Sequence, residues 1–291
     1  MAQDPAKRAR SPQLTARAHV DSDRPMCQLV FPSADSHVAA DVTVSDTAST
    51  DARSSDEASS EGEDVLPQPV MRQTVTIFDW DDTLLPTSAL CAHLIQEPSL
   101  WDAATPPALV KALRGIERVA KHLLATSLRH GHVFIITNAL EEWVLFTAAK
   151  YLPGLTPLLQ KVHVISARAR YEDLLPDTPS AWKEFAFLEV RAYLNEHAAT
   201  NLISLGDSSY EVNAVRSLGR ALGWRPLKER HLATAPAGSV VKTVKLQEKP
   251  TAEDVRKQLE LVAAKFEHIL NGRKDMHIGL ERKCPAPPMQ E

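Results

Sequence analysis

From residue 73 onward, short apolar runs alternate with longer amphipathic stretches. The runs are Thr74-Val75-Thr76-Ile77-Phe78, Val133-Phe134-Ile135-Ile136, Val162-His163-Val164-Ile165 and Leu202-Ile203-Ser204-Leu205. Each has the length and the β-branched, apolar composition of a strand buried on both faces. Between the first two, Leu109, Leu113, Ile116, Ala120 and Leu123 recur at helical spacing. This predicts a helix over 106–130, with Thr105 as its cap, Pro106 in its first turn and Gly131 at its end. Further helices are expected at about 140–151, stopped by Pro153-Gly154, and at about 180–197. A last helix at about 251–270 carries Val255, Leu259, Val262, Phe266 and Leu270 three or four residues apart. A final strand is expected near Lys242 and Lys245. Strand and helix in alternation predict an α/β fold, a doubly wound, Rossmann-like parallel sheet flanked by helices.

The pattern is absent from the start of the chain. Residues 1–70 hold 11 Leu, Ile, Val and Phe, 14 Ser and Thr, six prolines and 12 Asp and Glu against 6 Lys and Arg. So few apolar residues cannot offset chain entropy, and residues 1–71 are expected to form a disordered acidic tail. Residues 72–272 are expected to form the folded domain, and the polar stretch 273–291 a flexible C-terminal tail. The chain's net charge of −4 therefore averages two unlike parts, because residues 71–291 carry 25 acids and 27 bases. Within the tail, Ser54 to Asp64 form an acidic serine run in which Ser54 and Ser60 each precede an acid by three residues. It reads as a solvated spacer or a kinase target, and as a candidate weak pseudo-substrate. Lys7–Arg10 is a weak candidate nuclear signal.

No run approaches the roughly 18–20 apolar residues of a membrane span. Cys27, Cys91 and Cys284 are three in number and far apart, which excludes a disulfide framework and a zinc ligand set. Without a secretory signal or an Asn-x-Ser/Thr sequon, the chain is expected to be intracellular, cytoplasmic or nuclear, with no membrane partner. Its basic residues form no aromatic-basic module, so no nucleic-acid partner is expected.

Ligand sites of open α/β sheets form beyond the carboxyl ends of the strands. Asp79-Trp80-Asp81-Asp82-Thr83 follows the first run, Thr137-Asn138 the second and Gly206-Asp207-Ser208-Ser209-Tyr210-Glu211 the fourth. Acids this close to apolar strands are costly unless paired, hydrated or bound to metal. Hard carboxylate oxygens at Asp79, Asp81 and Asp207 suit Mg²⁺ better than zinc. Arg168 and Arg170 are minor candidates for substrate anions, His163 reads as a packed side chain, and Trp80 as a residue shaping the entrance.

These motifs, in this order, resemble those of the haloacid dehalogenase-like phosphohydrolases, and the resemblance spans about residues 73–212. Asp79-x-Asp81-x-Thr83 matches the first motif of that family and Thr137 the second. Lys183, 24 residues before Asp207, falls where the third is expected, and Asp207 with Glu211 matches the acidic fourth. The resemblance implies that Asp79 is the nucleophile, giving an aspartyl-phosphate, and that Asp81 is the general acid and base. It further implies Mg²⁺ held by Asp79, Asp207 and Asp81 through its carbonyl, and phosphate held by Thr137, Asn138 and Lys183. Thr83, Ser208 and Glu211 would support them, Glu211 by neutralising Lys183 or standing in the outer shell of the metal. An acid at Asp82, where many members acting on small molecules have Gly, is reminiscent of phosphatases acting on the RNA polymerase II tail (DLDETL beside DWDDTL here).

Family members select substrates through inserted caps. The expected elements leave about 18 residues, Thr87 to Ala104, after the first strand and about 13 after Ser166, so a minimal cap or none is expected. An open site favours a phosphoprotein over a small metabolite. Metabolite or nucleotide phosphatase, phosphotransferase, polynucleotide phosphatase and a non-catalytic scaffold of the same fold are the alternatives.

Overall fold

The computed structural model describes residues 73–96, 105–194, 199–224 and 239–280. The acidic tail, the Lys7–Arg10 cluster, Ser54, Ser60, residues 97–104 and residues 281–291 lie outside the described residues.

The four apolar runs form strands β1 (Gln73–Phe78), β2 (Gly131–Thr137), β3 (His163–Ser166) and β4 (Ala199–Gly206). The strand expected near Lys242 is β5 (Val240–Lys245). A sixth, β6 (Met276–Gly279), corrects the expectation of a flexible tail from residue 273. Four residues exposed on alternate positions at a sheet edge carry too short a pattern to stand out in a polar segment. All six strands run parallel, in the order β3-β2-β1-β4-β5-β6.

The helices are α1 (Thr87–Gln96), α2 (Pro107–His130), α3 (Glu141–Tyr151), α4 (Thr156–Leu159), α5 (Ala167–Tyr171), α6 (Pro179–Glu189), α7 (Ser209–Ala221) and α8 (Ala252–Asn271). No described helix is long and apolar enough to cross a membrane. One side of the sheet packs Phe78, Ile135, Ile203 and Val244 against Ile116 and Leu123 of α2 and Leu259 and Phe266 of α8. The other packs Val75, Ile77, Ile136 and Leu202 against Trp182 and Phe187 of α6 and Val215 and Leu218 of α7. Alternation along β1 feeds both layers, which is why its sequence reads as continuously apolar.

Helix α2 begins one residue later than expected. Pro106 precedes Pro107, and a residue before proline is driven out of the helical region, so Pro106 (φ −54°, ψ 141°) takes the cap position and Thr105 caps nothing. At its other end Gly131 has φ 154°, and a Cβ there would run into the carbonyl of Thr74 on β1. Glycine lets the chain turn from α2 directly into β2 beside β1. Helix α6 is shorter than the expected 180–197, tightening into a 3₁₀ turn at Val190–Tyr193. Thr251 caps α8 through a reciprocal box with Asp254. The last carbonyls of α8 are taken up by the sheet: Lys242, fully buried, donates to Ile269 and Leu270, and Asn201 donates to Leu270 at 3.0 Å.

Candidate active site

The strand order turns back at β1. The chain leaves β1 for β2 and β3 on one side, and β4 to β6 fill the other, so the loops after β1 and β4 stand at the switch point, the position at which open α/β sheets form their ligand crevice. Asp79 is the first residue beyond β1, and its N–H donates to Leu205 of β4 at 2.9 Å. Asp207 is the first residue beyond β4. The two neighbouring central strands thus deliver one carboxylate each to the same edge.

After Asp79 the chain closes a tight turn. The Trp80 carbonyl accepts from Leu84 and Leu85 at 2.9 and 3.0 Å. Asp82 sits at φ 55°, a left-handed conformation that Asp tolerates better than most residues. Its N–H donates to Leu85 at 2.7 Å, while its carboxylate accepts from the Ser88 N–H at 2.8 Å and from the Ser88 hydroxyl. Asp82 therefore ties the turn to the first turn of α1, where a negative charge also suits the helix dipole.

Lys183 projects from α6 into the crevice floor and is 2% exposed. Its ammonium donates to Asp79 Oδ1 at 2.5 Å and to the Ile136 carbonyl at 2.7 Å, and lies 3.1 Å from Glu211 Oε1. Glu211 is held in turn: its Oε2 accepts from the N–H and hydroxyl of Ser208 at 3.1 and 2.7 Å, a capping box that starts α7. A Cβ on Gly206 would collide with the Glu211 side chain, so glycine here lets the carboxylate fold back over the end of β4.

The electrostatics follow from crowding. Burial pushes the Asp79 carboxyl up to about 7, against the pull of Lys183 and helped by the charges of Glu211 and Asp81. Burial, then the charges of Asp79, Glu211 and Asp82, push Asp207 up to about 9. Burial opposes the charge on Lys183, but Asp79 and Glu211 outweigh it and hold its pKa above the usual lysine value. The ammonium stays charged and stands among more carboxylates than it can neutralise, while the nearby Lys245 ammonium is turned onto the Asp207 carbonyl at 3.1 Å and onto Glu248 at 2.9 Å.

Asp81 is half-buried and its two oxygens take three donors from three elements. Oδ1 accepts from Thr87 Oγ1 of α1 at 2.6 Å and from Trp143 Nε1 of α3 at 2.8 Å. Oδ2 accepts from Thr137 Oγ1 at the end of β2 at 3.1 Å. Thr137 in turn accepts from the Ala139 N–H at 2.9 Å. Nothing in the sequence singles out Thr87 or Trp143, and Trp143 lies 62 residues from the carboxylate it meets.

Asp79, Asp81, Thr137, Lys183, Asp207 and Glu211 thus come together at one edge. The other candidates have local employment. Asn138 donates to the Pro179 carbonyl at 3.2 Å, joining β2 to the start of α6, and its Oδ1 is buried without a partner. The Thr83 hydroxyl is likewise buried and unpaired. Trp80, expected at the entrance, is fully buried, and its indole donates to Thr147 at 3.0 Å. Arg168 pairs with Glu172 at 2.7 Å and Arg170 with Glu189, so both cations are spent on α5 and α6. His163 packs its ring on Phe134 and Tyr193, with centroids 4.9 and 4.8 Å apart.

Among the described residues no three His, Cys, Asp or Glu side chains converge as a ready metal centre. Zinc and calcium ask for such a centre. Mg²⁺ does not, being commonly held by one or two carboxylates, waters and a substrate phosphate. Asp207 is half-buried; its carbonyl accepts from the Lys245 ammonium at 3.1 Å, but its carboxylate accepts no hydrogen bond from the described residues, and the mutual repulsion of Asp79, Asp207 and Glu211 is what a divalent cation relieves. The donor set therefore fits Mg²⁺. No family model, curated protein or solved structure matches the chain.

Proposed function

We propose that this chain is a Mg²⁺-dependent phosphomonoesterase of the haloacid dehalogenase-like type. The observation that carries this reading is the convergence of Asp79, Lys183 and Glu211, far apart in sequence, with Asp79 buried and hydrogen-bonded at the point where the strand order turns back. Lys183 holds Oδ1 of Asp79, which orients the carboxylate and leaves Oδ2 to attack phosphorus. Attack forms an O–P bond to Asp79 as the bond from phosphorus to the leaving oxygen breaks, and Asp81, two residues on, gives its proton to that oxygen. Asp81 then takes a proton from water, which attacks the aspartyl-phosphate at phosphorus and frees Asp79 and inorganic phosphate. Splitting one displacement into two spares the water an attack on the unactivated ester. Mg²⁺, held by Asp79, Asp207 and the Asp81 carbonyl, would supply the positive charge that lets an anionic substrate approach anionic carboxylates.

The segments flanking the crevice favour a large substrate. Between Phe78 and α2 the described residues hold only the turn and α1, and between β3 and α6 only α5 and a short connection. A crevice bordered this way suits a phosphate on a protein surface better than a small metabolite that must be enclosed. Turnover of an aryl phosphate by wild type and by Asp79→Asn tests the chemistry. Loss of about 10³-fold or more in kcat, with EDTA having the same effect, is expected. Wild-type turnover in Asp79→Asn refutes the mechanism, and activity on phosphometabolites with none on phosphopeptides reverses the substrate order.

A further inference from the structure

Helix α3 grips the turn that carries Asp79 and Asp81 at two points. The Trp80 indole donates to Thr147 Oγ1 at 3.0 Å, the Thr147 hydroxyl donates to the Trp143 carbonyl at 2.6 Å, and the Trp143 indole donates to Asp81 Oδ1 at 2.8 Å. Residues 143 and 147 lie one turn apart on one face of the helix, so the hydrogen bonds and the Trp80–Asp81 peptide close a ring. The two indoles differ in what they need. Trp80 is fully buried, and its N–H requires a protein acceptor. Trp143 is half-buried, and water could serve its N–H, so burial alone does not account for its contact with Asp81.

We infer that Trp143 is a positioning residue that decides which oxygen of Asp81 carries the proton it transfers; this rests on the phosphatase reading above. Asp81 has three partners, and their chemistry is unequal. The hydroxyls of Thr87 and Thr137 can rotate and change from donor to acceptor, whereas an indole N–H only donates. Trp143 therefore keeps Oδ1 an acceptor in every state of the carboxyl. The proton Asp81 delivers belongs on Oδ2, where Thr137 can turn to receive it. A charge-assisted bond of this kind is about twice as strong as a neutral one and sets the rotation of the carboxylate.

The readout is leaving-group dependence. A correctly turned general acid matters most when the departing oxygen is a poor leaving group and least when it leaves unaided. In Trp143→Phe, which keeps the ring and loses the N–H, kcat/KM should fall about tenfold or more for an alkyl phosphate. For 4-nitrophenyl phosphate it should fall less than about threefold. An equal fall on both substrates, or none on either, overturns the assignment. If Trp143→Phe does not fold, β-(3-benzothienyl)alanine placed at position 143, which keeps the bicyclic ring and lacks only the N–H, decides by the same two substrates: a selective fall on the alkyl phosphate supports the assignment, and an equal fall or none overturns it. Asp79→Asn serves as the control for the underlying reading. Wild-type turnover there sinks the phosphatase itself, whereas an inactive Asp79→Asn with an indifferent Trp143→Phe sinks only the role of Trp143.

Discussion

Replacing Lys183 by Met keeps the length and bulk of the side chain and removes one charge and three donors. Every proton of the ammonium is used: Asp79 Oδ1 at 2.5 Å, the Ile136 carbonyl at 2.7 Å and Glu211 at 3.1 Å. What the substitution leaves behind is two buried carboxylates without a counter-charge. Breaking a buried pair by removing one partner costs about 3–5 kcal/mol, far more than the pair contributes over an apolar replacement. For a domain of this size about 1 kcal/mol moves Tm by roughly 2–4 °C, so a fall of about 6–20 °C is expected.

The loss should also depend on pH, in a direction that follows from linkage. Asp79 is already pushed up to about 7 by burial, and without Lys183 it rises further, while in the unfolded chain it stays near 3.8. A carboxyl raised in the folded state contributes stability that is present at low pH and lost as pH climbs through the folded value. The deficit of Lys183→Met against wild type should therefore be smaller at pH 6, where Asp79 can take a proton, than at pH 8. Urea denaturation followed by circular dichroism at both values measures it, and adding Glu211→Gln to Lys183→Met should recover part of the loss. A deficit below about 1 kcal/mol at pH 8, or one indifferent to pH, would refute the claim that Lys183 is the counter-ion of a buried acid pair.

Two other expectations concern the same edge of the sheet. Burial and neighbouring carboxylates raise Asp79 to about 7 and Asp207 to about 9, so the stability these groups contribute at low pH disappears as pH rises through those values. Mg²⁺ should restore it, raising Tm more at pH 8 than at pH 5.5. Asp207→Asn should abolish the increment, and a Tm unmoved by Mg²⁺ at pH 8 counts against the cation. Gly206→Ala drives a methyl into the Glu211 side chain and should cost about 1–3 kcal/mol with a fall in turnover, because Glu211 cannot keep its place beside Lys183; wild-type melting and turnover would show that the loop yields instead.

How much of this was legible in the sequence depends on the range of the contact. The four apolar runs and the main helices are local patterns, and the carboxylates stand out because each follows a strand that has no other use for a charge. Lys183 could be placed near the site but not in contact with Asp79, because its reach depends on how α6 docks over the ends of the strands. Trp143 gave no signal at all: an indole on an amphipathic helix reads as packing, and its N–H finds Asp81 only after α3 is laid beside the β1 turn. Trp80 misled for the converse reason. Beside two carboxylates it reads as part of the mouth, yet alternation in the tight turn sends it inward to Thr147.

Asp82 shows how a motif position can carry structure where it was read for specificity. An acid there leans the sequence toward phosphoprotein substrates, but its carboxylate is turned onto Ser88 and its backbone occupies the left-handed region that closes the turn. A side chain committed to α1 in this way does not face a substrate, so the residue itself is no argument for one class of phosphate ester. What the described segments after β1 and β3 hold, the turn with α1 and α5 with a short connection, then carries the proposed preference for a large substrate alone. The four acids of the β1 and β4 loops thus divide by what satisfies them. Asp82 is satisfied by a helix start and Asp79 by a lysine. Asp81 is satisfied by three donors, two of which can reverse, and the Asp207 carboxylate by no donor among the described residues, which is where the proposed Mg²⁺ would act.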